Sequence, residues 1–197
     1  MSGPGPAPAS TLRVVLLTGD RGAGKSTLCE RLAGEARSRG LPAGGAACPA
    51  VFGPEGAKNG CRVRDLATGE ERELGSTIRD LGGPRWKGWS FSAEGFEAAN
   101  RAVRAALEAG AGLVVLDEVG PVELVLGAGL EPSLRLLDER TLRIADPGPS
   151  RGSAAVLVVR PELLDALAAR YPGAPVLRVD PPGREEAFRR ASRVLFG

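Results

Sequence analysis

The chain has 197 residues, 43% of them apolar and 25% charged, which excludes a fibrous or disordered protein and is enough to bury a proper core. Its net charge of +2 gives no electrostatic case for a nucleic-acid or membrane partner; Arg189, Arg190 and Arg193 near the end read as a solvated helix face. Histidine is absent, so imidazole is unavailable as base, nucleophile or metal ligand, and a carboxylate is the expected proton acceptor near neutral pH. Cys29, Cys48 and Cys61 are odd in number and lack C-x-x-C spacing, which reads as reduced thiols packed as small core residues in a cytoplasmic protein.

In chain order, residues 1–10, "MSGPGPAPAS", read as a disordered leader, and 11–197 as one domain. No apolar run approaches the roughly 18 residues of a membrane span. Leu12 to Leu17 is a short valine- and leucine-rich run that suits a strand buried on both faces of a sheet. Lys25 to Arg39 carries Leu28, Leu32 and Ala36 on one stripe of a helix that stops near Gly40 and Pro42. About residues 41–91 the chain turns short, polar and glycine-rich, and "RDLATGEEREL" offers a turn at Thr68-Gly69 between two short strands, an antiparallel hairpin insertion.

Helical periodicity returns from Gly95 to Ala109, followed by "GLVVLDEVG", a second buried strand with its apolar part at Leu113 to Leu116. The segment "DPGPSRGS" at 146–153 reads as a flexible flap. A strand at 154–160, a helix at 161–170, a strand at 174–179 and a helix from Gly183 complete the alternation. Strand-helix repetition of this kind implies an α/β fold, a mainly parallel sheet covered by helices on both faces.

The chemistry concentrates in two places. Gly19, Asp20, Arg21, Gly22, Ala23, Gly24, Lys25, Ser26 and Thr27 satisfy G-x-x-x-x-G-K-[ST] between a strand and a helix, the setting a phosphate-binding loop requires. Its glycines let successive N–H groups point at phosphate oxygens, and the following helix adds its positive end. With only three lysines, Lys25, Lys58 and Lys87, in a chain that otherwise uses arginine, Lys25 stands out. A compact ammonium there reaches the β- and γ-phosphates, and the Ser26 hydroxyl ligates Mg²⁺. At the end of the second buried strand, Asp117 is placed to hold Mg²⁺ through water, and Glu118 to polarise an attacking water. An acidic residue directly after the metal-binding aspartate further suggests that the strand at 154–160 lies between the other two.

The runs "GDRGAGKSTL", "GFEAANRAV" and above all "LDEVGPVEL" resemble the small nucleoside-triphosphatases described from thermophiles and as cancer-related nucleoside-triphosphatase, whose signature is D-E-[IV]-G-x-[MV]-E-L. Weaker similarity covers "CRVRDLATGE" and "GWSFSAEGF", so that the resemblance spans most of 12–180. It implies a RecA-like, three-layer P-loop NTPase and Mg²⁺-dependent hydrolysis of ATP, GTP and other nucleoside triphosphates to diphosphates with broad base tolerance. It carries phosphate binding onto Gly22, Gly24, Lys25, Ser26 and Thr27, and metal and water handling onto Asp117 and Glu118. Glu123 matches the signature with its role open. The chain departs from the family pattern in the inserted "RTLRIADPGPSRGS" and in Arg160, where members often show a polar histidine.

Three activities use such a constellation. Glu118 beside Asp117 favours a hydrolase, since that glutamate is dispensable where no water is activated. A small-molecule or nucleotide kinase would need an acceptor pocket and a lid, with Arg151 the one hint of the latter. A nucleotide-gated binding module would turn over slowly. The sequence names no protein partner and identifies no arginine finger.

Overall fold

The structure, a computed structural model, describes residues 12–141 and 153–197. The leader, and the flap up to residue 152 with Arg151, lie outside the described residues.

The chain runs β1 (Arg13–Thr18), α1 (Lys25–Ser38), β2 (Ala43–Ala47), β3 (Ala50–Phe52), β4 (Lys58–Asp65), β5 (Glu71–Ser76), β6 (Gly82–Trp86), β7 (Trp89–Ser92) and α2 (Ala93–Glu108). It continues through β8 (Leu113–Val119), α3 (Pro121–Leu124), α4 (Glu131–Thr141), β9 (Ala154–Val159), a 3-10 turn at Pro161–Leu163, α5 (Leu164–Arg170), β10 (Val176–Arg178) and α6 (Arg184–Phe196).

All ten described strands join one sheet in the order β10-β1-β9-β8-β2-β4-β5-β7-β6, with β3 paired to β4. Every pairing from β10 to β2 is parallel. Every pairing beyond β2 is antiparallel. The sheet is therefore mixed rather than mainly parallel, because the chain between α1 and α2 returns through tight turns, which join antiparallel neighbours without a helical crossover. As the sequence suggests, β9 separates β1 from β8.

The apolar strands explain where the core sits. Successive side chains of a strand point to opposite faces. On β1, Val14 and Leu16 join one buried cluster while Val15 and Leu17 join another; on β9, Ala155, Leu157 and Val159 take the first side, Ala154, Val156 and Val158 the second. Phe96, Ala99 and Val103 of α2 and Leu134 and Leu137 of α4 cover the first face. Leu28, Leu32 and Ala36 of α1, with Ala187 and Ala191 of α6, cover the second. Each such Leu or Val removed from water contributes about 1.5–3 kcal/mol, which ties the strand ends that carry the site to a rigid frame.

The strand β2, "AGGAA", has no large side chain because it is squeezed between neighbours. A Cβ on Gly45, whose φ is +99°, would lie 2.1 Å from the carbonyl oxygen of Val115, and one on Gly44 2.8 Å from the Cβ of Ala106. Beyond it, β4 and β5 are joined through a turn in which Asp65 Oδ1 accepts from the N–H of Ala67, and Gly69 adopts a φ of +78°. Lys87 and Gly88, with φ of +43° and +81°, make the two-residue turn between β6 and β7, as hairpin twist requires.

Candidate active site

The loop between β1 and α1 is shaped by its glycines: Gly19, Gly22 and Gly24 have φ of +154°, +79° and +101°. Gly19 also lies against β10, where a Cβ would come within 2.3 Å of the Val179 carbonyl oxygen. The Ala23 N–H donates to Asp20 O at 3.1 Å and closes the turn. Helix α1 starts at Lys25 with no side-chain cap and no acidic residue in its first turn. Its leading N–H groups and the positive end of its dipole therefore face the loop without a competing protein anion, as an anion-binding terminus demands.

The Lys25 ammonium is folded back onto this loop, donating to Gly19 O at 2.6 Å and Asp20 O at 2.9 Å. Burial holds its pKa below the usual lysine range, against the attraction of Glu118 and Asp117. An arriving phosphate would offer stronger, charged acceptors than these two carbonyls.

Across the cleft, β8 does not end at Leu116 as expected but continues through Val119 with a bulge. Leu116 pairs with Leu157 and Val119 with Val159, so Asp117 and Glu118 together oppose one residue of β9. Glu118 sits at φ +62°, a left-handed conformation that costs a non-glycine residue roughly 1–2 kcal/mol. The bulge, rather than a strand end, breaks the alternation and lets both carboxylates serve one site.

Asp117 is buried and fully engaged. Its Oδ2 accepts from Cys48 N at 2.9 Å and its Oδ1 from Glu118 N at 2.9 Å. Burial and then the charge of Glu118 raise its pKa, while hydrogen bonds from Ser26, Cys48 and Glu118 act the other way. Ser26, in the first turn of α1, and Asp117, at the bulge of β8, offer hard oxygen donors from the two sides of the glycine loop, a pair that fits a Mg²⁺ ion that keeps several waters and draws its other ligands from phosphates. Among the described residues no cluster of three or more histidine, cysteine or acidic ligands occurs that could form an all-protein cage.

Glu118 makes two ion pairs. Its Oε1 lies 3.2 Å from Lys58 Nζ and its Oε2 3.7 Å from an Arg160 nitrogen. Lys58 begins β4, is only 12% exposed, and lies 5.6 Å from the centre of the Trp89 ring. Arg160 follows β9, which places it next to β8 through strand order alone.

These residues line a cleft of ≈ 680 Å³, in the range of small-molecule sites. Its walls include Asp20, Arg21, Gly22, Gly24, Lys25, Ser26, Thr27, Glu118 and Arg160. Gly19 and Ala23 belong to the loop but do not line the cleft. Glu123 lies apart: its Oε2 accepts from Gly120 N at 2.8 Å and its Oε1 from Leu130 N at 3.0 Å, which pins the chain leaving β8. Cys48 and Cys61 are buried free thiols, and burial raises both pKa values.

Three contributors escape a reading of the sequence. Lys58 comes from the insertion. The Cys48 N–H orients Asp117. Arg184, at the start of α6, donates to Ala23 O at 2.8 Å and Gly22 O at 3.0 Å and braces the loop from outside. Lysine scarcity marks Lys58 as much as Lys25, but the glycine context marks only Lys25.

The profile of the family described as NTPase matches residues 14–142, which hold the glycine loop before α1 and the Asp117–Glu118 bulge. The chain belongs to the NTPase family. Among curated relatives, the nucleoside-triphosphatase THEP1 of Thermofilum pendens is 36% identical over 123 residues, 62% of this chain and 66% of that protein. That of Methanopyrus kandleri is 30% identical over 127 residues, 64% of this chain and 68% of that protein. The matched stretch is thus about two thirds of each relative's length. The crystal structure of THEP1 from the hyperthermophile Aquifex aeolicus superposes with a TM-score of 0.67 at 18% identity, covering 93% of this chain and 99% of that one. The solution structure of a human cancer-related nucleoside triphosphatase gives 0.64 at 22% identity, covering 93% and 97%. Both share the fold, that of an α/β P-loop NTPase. Among the described residues no helix is long and apolar enough to cross a membrane.

Proposed function

We propose that this protein hydrolyses nucleoside 5'-triphosphates to diphosphate and phosphate, with Mg²⁺ and little base preference, in a single RecA-like domain spanning residues 11–197. One observation carries the reading: a glutamate held at a strained bulge, facing an uncapped phosphate loop across one cleft, with two cations already against it. The names of the THEP1 relatives support it.

In this mechanism the loop N–H groups and Lys25 bind the β- and γ-phosphates. Ser26 and Asp117 would hold Mg²⁺, which supplies neutralisation of phosphate charge. Glu118 accepts the proton of an attacking water as its oxygen bonds to the γ-phosphorus and the bond to the diphosphate oxygen breaks. Lys58 and Arg160 leave Glu118 for the γ-phosphate oxygens, so that the cations quiet in the free protein meet the charge of the transition state. Phe52 and Pro49 give the cleft apolar rim surface, and stacking of this kind accepts any base. Free buried thiols suit a cytoplasmic setting.

A phosphate-release panel over ATP, GTP, CTP, UTP and their deoxy forms with Mg²⁺ tests this reading. Rates within about tenfold of one another, or about 1.4 kcal/mol, are expected, since the chain has no N-K-x-D tetrapeptide to read guanine. Absence of phosphate release from every nucleotide would contradict the proposed activity.

A further inference from the structure

A second cavity adjoins the first, and hydrolysis makes no use of it. It lies between the β6–β7 hairpin and the chain leaving β8, and its body is formed by Leu74, Trp86, Trp89, Phe91 and Phe96. The rings are packed together, Trp89 on Phe91 with centres 6.0 Å apart and Phe91 on Phe96 at 5.5 Å. Lys58, Glu118 and Arg160 line this cavity and the phosphate cleft alike. The partition between the two spaces is therefore the ion-paired triad itself, with Glu118 at its centre.

The wall chemistry limits the occupant. The other acidic side chain on the cavity, Glu123, already accepts from Gly120 N and Leu130 N, so both its oxygens are engaged by the protein. Everything else away from the partition is aromatic or aliphatic apart from the Cys61 thiol. A ligand would thus present an apolar body to the rings and its polar group to Glu118. The cavity of ≈ 60 Å³ has room for about five water-sized atoms, at roughly 10–15 Å³ each.

We propose that this cavity is an acceptor site for a small primary alcohol with an apolar body, and that the protein transfers the γ-phosphoryl group to its hydroxyl. The inference rests on the nucleotide site proposed above and adds a second substrate to it. When γ-phosphate draws Lys58 and Arg160 away from Glu118, the partition opens and the carboxylate is left facing the alcohol. The hydroxyl oxygen bonds to the γ-phosphorus, the bond from phosphorus to the bridging oxygen breaks, and the diphosphate departs with that electron pair. Glu118 takes the hydroxyl proton. Alcohol and nucleoside triphosphate thus become phosphomonoester, nucleoside diphosphate and one proton, with water as the competing acceptor when the cavity holds no alcohol.

The test is ³¹P NMR of the full chain with Mg²⁺·ATP and, in separate samples, equal millimolar concentrations of 1-butanol, 3-methyl-1-butanol, methanol and glycerol. The expected result is a phosphomonoester that saturates with 1-butanol or 3-methyl-1-butanol, at least ten times the yield from methanol or glycerol, with free phosphate falling in step. Leu74→Phe, which fills the cavity, should lower the ratio of ester to free phosphate at least tenfold, a ratio that does not depend on how much protein folds. Ester in equal yield from methanol and 1-butanol would overturn the acceptor site, as would a ratio unmoved by Leu74→Phe. Free phosphate without ester in any sample would overturn the acceptor site and leave hydrolysis standing. Neither product would overturn both.

Discussion

The two halves of the sheet meet at β2 and obey different constraints. From β10 to β2 the strands are parallel and their side chains mostly buried, so each position answers to packing on two faces. From β4 to β6 they are antiparallel, joined largely by tight turns, and carry exposed charges such as Arg62 and Arg72. The parallel half holds the glycine loop before α1 and the Asp117–Glu118 bulge, while the antiparallel half lends one cation, Lys58, and a set of rings. The parallel half thus fixes its loop and bulge by packing on two faces, while the antiparallel half reaches the cleft through single side chains.

That contrast is sharpest at two glycines with similar backbone demands. Gly45 on β2 and Gly69 in the β4–β5 turn both have positive φ, +99° and +78°. A Cβ at Gly45 would strike Val115, whereas one at Gly69 meets nothing within 4 Å. Gly45→Ala should therefore destabilise by about 3 kcal/mol or more and Gly69→Ala by about 1 kcal/mol, read from denaturant unfolding. Equal losses would show that the two halves are constrained alike.

Where the parallel half hands the chain on from β8, Glu123 gives a pH signature. Burial pushes its pKa up to about 7 from an ordinary 4.5, with the Gly120 and Leu130 N–H bonds opposing. A carboxyl whose folded pKa is raised binds its proton more tightly in the folded state, so its contribution to stability is greatest below about 4.5 and falls as pH climbs to about 7. The loss between pH 5 and 8 should be about 2–3 kcal/mol, and Glu123→Gln should flatten that part of the profile in thermal unfolding. A slope that persists in Glu123→Gln would assign it elsewhere.

The smallest effect concerns what the antiparallel half lends. Lys58→Met should slow phosphate release about 10–30-fold, or about 1.4–2 kcal/mol, with nucleotide affinity changed only a few-fold and partial recovery in Lys58→Arg. Full wild-type turnover in Lys58→Met would confine catalysis to the parallel half.

Legibility in the sequence follows the same division. Runs such as "VVLL" and "AAVLVV" declare buried strands because both faces must be apolar, and G-x-x-x-x-G-K-S declares its loop because only glycine tolerates those angles. The place of β9 between β1 and β8 was legible too. The mixed sheet was not, since "AGGAA" has no apolar alternation and its strand character comes from neighbours. Nor was the bulge: "LVVLDEVG" reads as a strand ending at Leu116, and the left-handed turn at Glu118 is imposed by pairing with β9. Lys58 and Arg184 reach the site through contacts 60 and 161 residues away in sequence, which no local pattern records.

The most direct measurement is phosphate release from Mg²⁺·ATP by Glu118→Gln, alongside nucleotide affinity under the same conditions. Gln keeps the size of Glu118 but cannot take a proton from water, so turnover should fall at least about a hundredfold, or about 2.7 kcal/mol of barrier, while affinity stays within about threefold. Turnover at the wild-type rate would contradict the role given to Glu118.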